Sequence, residues 1–398
     1  MSREQLVAMA RRNLELAQTG ENDLVESIVS VPASNYFDEG RWRAEMSQVF
    51  HRLPLTLAFT CEMPNPGDYK AMNVAGMPVL MSRGADGQVR AFVNSCSHRG
   101  AVLVTEGTGS ARRFTCPYHA WSYDQKGDLV GILDREMFGD LDASCHGLAS
   151  LPAGERAGLI FVTLDPHSTN PIDLDTFLCG YDELLANLDL ASCRVVGQQA
   201  IAGPNWKVAY DGYLDLYHLP ILHRDTFGPT ISNKAVYYAW GPHQRVSSPA
   251  RNTADVFTDM PEDQWPLERM TLGVWTIFPH ISIASFDSGG RVFMVSQLFP
   301  GDDPSSSVTV QTFLHTQPDE PGQAERVAET MAFLHHVVQD EDYYTGLRLQ
   351  RALKTGAKDH VLFGRNEGGG QRFHRWVDAL LSTDDADLSG LFKTNAPG

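Results

Sequence analysis

An all-β domain followed by a larger α+β domain is the architecture this sequence predicts, and three observations predict it. From about Pro54 to Leu164, short β-rich runs alternate with turns. Between Arg194 and Leu314 a second set of β-rich runs appears, including Val274–Phe278, Ile281–Phe286, Val292–Val295 and Val308–Leu314. Helical stretches stand before and after that second set, at 172–190 and at Ala324–Leu353.

Taken in order, residues 3 to 19 carry Leu6, Met9, Ala10, Leu14 and Ala17 at helical spacing. They predict an amphipathic N-terminal helix, packed either on a neighbouring subunit or on its own domain. Ala75–Met81, the Asp86-Gly87 turn and Val89–Val93 read as a hairpin. Phe114-Thr115 and Trp121–Tyr123 pair next, with a turn at Asp124–Gly127, and Leu159–Leu164 closes the β domain. Leu174, Phe177, Leu178, Tyr181, Leu184, Leu185 and Leu188 give 172–190 a helical face. Residues 230 to 265 are rich in Ser, Pro, Asn and Asp, and predict a loop near a site. The end of the chain, from about Asp384, reads as frayed.

Composition narrows the function classes. A chain of 398 residues, 42% hydrophobic and 20% charged, is an ordinary globular composition. Its net charge of −17 argues against nucleic acid or an anionic membrane as partner. No run is long and apolar enough to span a bilayer, and the polar start Met1-Ser-Arg-Glu lacks a signal-peptide core. Six sparse cysteines without scaffold spacing suggest a reducing cytoplasm.

Two of those cysteines stand beside histidines. Cys96-Ser-His98 and Cys116-Pro-Tyr-His119 each offer one thiolate and one imidazole from a tight loop. A Rieske [2Fe–2S] cluster takes two cysteines on one iron and two histidines on the other, and two such loops face to face supply that split. A Cys2His2 zinc site is the competing reading.

A second constellation lies at Tyr210–His223, where Asp215, His218 and His223 follow one another. On a helix Asp215 and His218 share a face. His218 and His223 would stand roughly 140° apart, but Pro220 between them breaks the ladder and lets the second ring meet the first. Neutral imidazoles converging beside carboxylates suit a first-row metal, with two core histidines as the alternative.

Cys-Ser-His-Arg-Gly (96–100), Cys-Pro-Tyr-His-Ala-Trp-Ser-Tyr (116–123), Asn205-Trp206-Lys207 and the 210–223 stretch together resemble the large (α) subunit of Rieske non-heme iron oxygenases, the aromatic-ring-hydroxylating dioxygenase family. The resemblance runs from about residue 36 to 378. The sequence departs from the family at Ala120, where Gly is usual, and at Tyr210-Asp211, where Glu-Asn is usual; the second departure is expected close to the iron.

This resemblance implies an N-terminal arm (1–45), a Rieske domain (46–165) and a catalytic domain (166–398) of helix-grip, START-like α+β fold with an antiparallel sheet. It implies a [2Fe-2S] Rieske cluster held by Cys96, His98, Cys116 and His119. A mononuclear Fe(II) is implied on His218 and His223, with Asp215 as the carboxylate that orients His218; Asp215 as a ligand itself is the competing assignment. The third ligand comes from Asp340, Glu341 and Asp342, and the family's spacing of eight residues to Gln350-Arg351 selects Asp342. On that helix His335, Val338 and Gln339 are expected to share the face of Asp342 and line a pocket. His280, His315, His360 and His374 are expected to be structural.

The family activity is that of a terminal oxygenase. It hydroxylates or cis-dihydroxylates an aromatic or similar compact organic substrate with O2, or demethylates an O- or N-methyl group. Electrons come from an NAD(P)H-dependent reductase, with or without a ferredoxin. The family's electron route crosses between subunits of a trimer, with or without a β subunit, and maps here from His98 or His119 through Asp215 to His218. Arg112 and Arg113, ahead of Cys116, offer a basic patch to an acidic donor protein. A pure electron carrier would leave the 210–223 and 338–351 motifs without a role.

Overall fold

A computed structural model describes residues 2–168, 171–250 and 252–394. The chain divides into two compact units, Phe50–Leu174 with Leu190–Ser192, and the remainder.

The first unit is built of β-strands. Five antiparallel strands lie in the order Ser150–Leu151, Val89–Val93, Met77–Arg83, Asp68–Val74, Gly107–Ser110. Ala153–Arg156, Leu159–Val162 and Leu55–Phe59 make a second sheet. Phe114–Thr115, Ser122–Tyr123 and Leu129–Gly131 make a third. Leu80, Phe92, Phe114, Trp121 and Tyr123 share one buried cluster with Cys96 and Cys116. Burying each large apolar side chain stabilises the unit by about 1.5–3 kcal/mol, so the cysteine-bearing loops rest on a firm base. Gly127 closes its turn at φ 84, where a Cβ would strike the Phe92 ring.

The second unit carries a seven-stranded antiparallel sheet in the order Arg194–Gly203, Ser307–His315, Arg291–Pro300, Ile281–Asp287, Val274–Ile277, His243–Ser247, Val236–Trp240. Helices Trp206–Leu214, Gln323–His336, Tyr344–Leu353 and Gly368–Ser382 belong to the same unit. The N-terminal helix Ser2–Thr19 packs on this unit of its own chain, burying Leu6, Met9, Ala10 and Leu16, and Arg11 pairs with Glu262 at 2.7 Å.

Four sequence expectations need correction. Residues 230–265 contain two strands, Val236–Trp240 at the sheet edge and His243–Ser247 beside it, not one long loop. The strand His243–Ser247 is buried at every position yet mostly polar, so no apolar alternation betrays it. The 172–190 helix is broken into short pieces because Cys179 (φ 53) and Gly180 (φ 79) turn left-handed. The Ala324–Leu353 helix contains a π-helical turn at Val337–Tyr343. Finally, Leu388–Lys393 forms a helix anchored by buried Leu388 and Phe392; residues 395–398 lie outside the described chain.

Candidate metal centres

Two loops of matching shape carry the first centre. In one, the Gly100 N–H donates to the Cys96 carbonyl at 2.8 Å; in the other, the Ala120 N–H donates to the Cys116 carbonyl at 3.0 Å. Each loop closes on a left-handed residue, Gly100 at φ 76 and Ala120 at φ 57. Ala120 therefore occupies the twin of a glycine position, at a steric cost of about 1–2 kcal/mol.

These loops bring the four expected ligands together. Both thiols are buried and free. The His98 and His119 rings meet edge to face with centroids 4.7 Å apart. The Nδ1 atoms of both are buried without a hydrogen-bond partner among the described residues. Two orphaned imidazole nitrogens beside two buried thiols fit the divided ligand set of a Rieske cluster. Trp121 stacks on His98 at 4.9 Å and 11°. The Tyr123 hydroxyl lies 3.2 Å from the Cys96 sulfur and receives the Ser97 N–H at 3.0 Å. Burial and the Cys96 sulfur push the Tyr123 pKa up to about 12, so the phenol stays a donor. Burial, then His119 and Arg99, lower the His98 pKa and favour the neutral ring that metal ligation requires.

The second centre is assembled by three segments. Pro204 precedes Asn205, whose side chain caps the helix Trp206–Leu214 by accepting from the Lys207 N–H at 2.9 Å. Trp206 Nε1 and the buried Lys207 ammonium both donate to Glu45, so the Asn-Trp-Lys motif pins this helix. The helix ends at Leu214, and Asp215 lies beyond it at φ −108, ψ 119. Asp215 and His218 thus meet across a turn, not along a helix face. Pro220 does not break a ladder between the histidines. It sits in the first turn of the helix Leu219–Leu222, where a missing N–H costs nothing, and that short helix carries His223 round to His218.

His218 Nε2 and His223 Nε2 are 3.1 Å apart. Asp342 Oδ1 lies 3.1 Å from His223 Nε2 and 3.6 Å from His218 Nε2. His218 Nδ1 faces Asp215 Oδ2 at 3.1 Å, and His223 Nδ1 faces Glu341 Oε2 at 2.6 Å. Each carboxylate accepts a hydrogen bond from Nδ1–H, which leaves an Nε2 lone pair pointing inward. Two lone pairs and a carboxylate oxygen then converge on one point. Ligands about 2.1 Å from a common metal lie about 3.0–3.6 Å apart for angles of about 90–120°, so the triangle fits a divalent cation. Among the described residues it is the only such group of three. Burial lowers the His223 pKa, but Asp342 and Glu341 outweigh it and raise it: the point of convergence favours positive charge.

Glu341 is the member the sequence left as a mere neighbour. It also receives the Thr226 hydroxyl at 3.0 Å. Asp340 turns outward to His336 at 2.8 Å. The π-helical turn also corrects the expected helix face: Leu334, Val337 and Val338 line the cavity with Asp342, whereas His335 and Gln339 do not. Asp211 does not face this centre. It accepts from the Tyr36 hydroxyl at 2.8 Å and meets buried His374 at 3.1 Å, tying the N-terminal segment to the helix Gly368–Ser382. His280 and His315 are buried, and His360 is exposed beside Asp359.

Asp215, His218, His223 and Asp342 border a cavity of about 600 Å³ whose walls are largely Leu216, Phe227, Met294, Leu334 and Val338. No helix among the described residues is long and apolar enough to cross a membrane.

Comparison with known proteins follows the same two-part division. Residues 54–137 match the family model of the Rieske [2Fe-2S] domain. Residues 190–383 match that of the ring hydroxylating alpha subunit (catalytic domain). The glycine betaine monooxygenase oxygenase subunit of Pseudomonas aeruginosa is 32% identical over 209 residues, 52% of this chain and 48% of that protein. The chlorobenzene dioxygenase subunit alpha of a Cupriavidus species is 34% identical over 190 residues, covering 46% and 42%. The chain thus spans about half the length of the curated relatives it matches. Over the whole fold, a crystal structure of a quaternary ammonium Rieske monooxygenase superposes with a TM-score of 0.75 at 21% identity, covering 93% of this chain and 98% of that one.

Proposed function

Because the chain belongs to the Rieske oxygenase large-subunit family, an oxidoreductase family with a Rieske [2Fe-2S] cluster and a mononuclear iron, we propose that it is the terminal oxygenase for a compact, largely apolar organic substrate. The observation that carries this is the convergence of His218 Nε2, His223 Nε2 and Asp342 Oδ1 on the wall of an apolar cavity.

In this reading Cys96, His98, Cys116 and His119 hold the cluster, and His218, His223 and Asp342 hold the iron. When bound, these groups supply single electrons and the activation of O2. The chain's own residues do the positioning. Asp215 and Glu341 hold the two imidazoles as Nδ1–H tautomers and raise their basicity. Phe227, Met294 and Leu334 exclude water and seat the apolar body of the substrate. Asp215 keeps 27% of its side chain exposed while it orients His218, so a donor from a second copy of the chain can reach its outer edge. That accords with a homotrimer, with or without a β subunit. An NAD(P)H-dependent reductase, directly or through a ferredoxin, is the electron source, and Arg112 and Arg113, both exposed, offer it a contact. Six sparse cysteines without scaffold spacing suit the cytoplasm.

Hydroxylation or cis-dihydroxylation is the leading chemistry, since the cavity is apolar and bordered by Phe227, Phe257 and Phe286. Demethylation of an O- or N-methyl group is the second, favoured by the likeness to the glycine betaine enzyme. Metal and acid-labile sulfide content of anaerobically purified protein tests the reading. Three irons and two sulfides per chain support it; zinc, or two irons only, contradicts it. Formaldehyde released per O2 consumed then separates demethylation from hydroxylation.

A further inference from the structure

The cavity has one wall unlike the rest. Along Arg269–Gly273 three guanidinium groups gather on a chain whose net charge is −17. Arg269 lines the cavity, is exposed at its rim, and makes no side-chain bond among the described residues. Arg245 lies wholly buried, donating to the carbonyls of Met270 and Leu272, with its guanidinium 4.5 Å over the Trp275 ring. Its Nε finds no partner. Arg291 donates to the Thr271 hydroxyl at 2.8 Å and carbonyl at 3.4 Å, and covers Phe293 at 4.4 Å. None of the three forms an ion pair among the described residues; Glu268 acts on Arg291 only at longer range.

Buried charge without a counter-charge is expensive, and in a low-dielectric interior its field is weakly screened. Neither Arg245 nor Arg291 lines the cavity; both hold the Met270–Leu272 segment in place through its carbonyls and the Thr271 hydroxyl, and that fixed segment carries Arg269 at its start. Arg269 brings a third guanidinium to the rim, with its forked donors uncommitted. Asn13, also on the lining, spends its Oδ1 on the Ser247 hydroxyl at 3.1 Å, which leaves its amide N–H groups for the cavity.

We propose that this wall recognises a carboxylate, so that the substrate is an organic acid whose apolar body lies among Phe227, Met294 and Leu334 and whose carboxylate is held by Arg269. The inference rests on the oxygenase reading of the cavity as the substrate site. Guanidinium and carboxylate match in a bidentate pair, which a neutral amide of the same shape cannot reproduce.

The test is calorimetric binding of matched probes to the holoenzyme under nitrogen and without reductase. The probes are benzoate against benzamide, and 3-phenylpropanoate against 3-phenylpropanamide. In at least one pair the acid should bind about tenfold tighter than the amide. Arg269→Gln, with iron content matching the parent, should erase that gap and leave amide affinity unchanged; Arg269→Lys should keep part of it. Equal binding within both pairs, a gap that survives Arg269→Gln, or no binding of either acid at millimolar concentration overturns the proposal. Failure of the oxygenase reading shows elsewhere, in iron content and in reductase-driven O2 uptake, because binding is read here without turnover.

Discussion

Glu341 holds His223 from behind at 2.6 Å, as the immediate chain neighbour of Asp342, the carboxylate facing that ring's other nitrogen. One dipeptide thus offers a proposed ligand oxygen and the support for a different proposed ligand. Asp215 performs the same office for His218 at 3.1 Å, but from a more open position, 27% exposed against 17% for Glu341.

That difference separates two conservative variants. Glu341→Gln should weaken retention of the mononuclear metal by about 10–100-fold, read by chelator competition. Asp215→Asn should keep both metal centres yet nearly abolish reductase-driven turnover. Indistinguishable effects in the two proteins would remove the distinction drawn between the carboxylates.

His218→Ala should lose the mononuclear iron and keep the cluster's visible spectrum, since Cys96, His98, Cys116 and His119 come from the other unit. Iron analysis together with absorption checks it. Loss of both signals in folded protein would mean that the centres are not independent.

Ala120 at φ 57 pairs with Gly100 at φ 76 in the twin loop. Ala120→Gly should therefore stabilise the β unit by about 0.5–1 kcal/mol, the strain relieved outweighing the flexibility gained in the unfolded chain. Thermal unfolding followed at the cluster absorbance measures it; an unchanged or lower midpoint would show the alanine to be unstrained.

His243 gives the second unit an acid limit. Its Nε2 donates to the Phe177 carbonyl at 2.7 Å while its Nδ1 accepts from the Phe278 N–H at 3.2 Å, so the fold requires the neutral ring. Burial lowers its pKa to about 4. The unfolded chain, titrating near 6.5, binds the proton first, so stability is complete above about pH 6.5 and falls towards pH 4. The loss is of the order of 3 kcal/mol for this group. Denaturant titrations across that window measure the slope, and His243→Asn should flatten it; an identical slope in the variant would assign the acid limit elsewhere.

Arg112→Glu with Arg113→Glu should raise the KM for the reductase several-fold at low ionic strength, an effect that added salt diminishes. Turnover driven by hydrogen peroxide should not change. Equal losses in both assays would refute a docking role.

What the sequence made legible follows from distance along the chain. Cys96 to His119 is local, and local spacing within tight loops is readable without a fold. Asp215, His218 and His223 are equally close together, although neither a shared helix face nor a broken helix is what joins them: the helix stops at Leu214, and Pro220 starts a new one. Asp342 came only through family spacing, because nothing local joins it to His223. Glu341 is legible only as a candidate ligand beside Asp342; its support of His223 is not, because that partner is 118 residues away in sequence. Asp211 was expected near the iron by its place in the motif, but a side chain's direction decides its role, and its partners are Tyr36 and His374. The strand His243–Ser247 stayed hidden because its burial is satisfied by hydrogen bonds, Arg245 and His243 among them, and not by apolar alternation.

The π-helical turn Val337–Tyr343 has a consequence for what mutation can do to the metal site. Such a turn is an α-helix carrying one residue too many, and the surplus sets the direction in which Asp342 points. Deleting a single residue between Val337 and Glu341 would let the stretch relax to a regular helix. The helices on either side would keep their phase, since the wider turn had absorbed the surplus residue, but Glu341 and Asp342, which lie inside it, would be re-aimed. A loss that leaves all three ligand types in the chain would scatter them, so the centre depends on the length of this helix as strictly as on its residues.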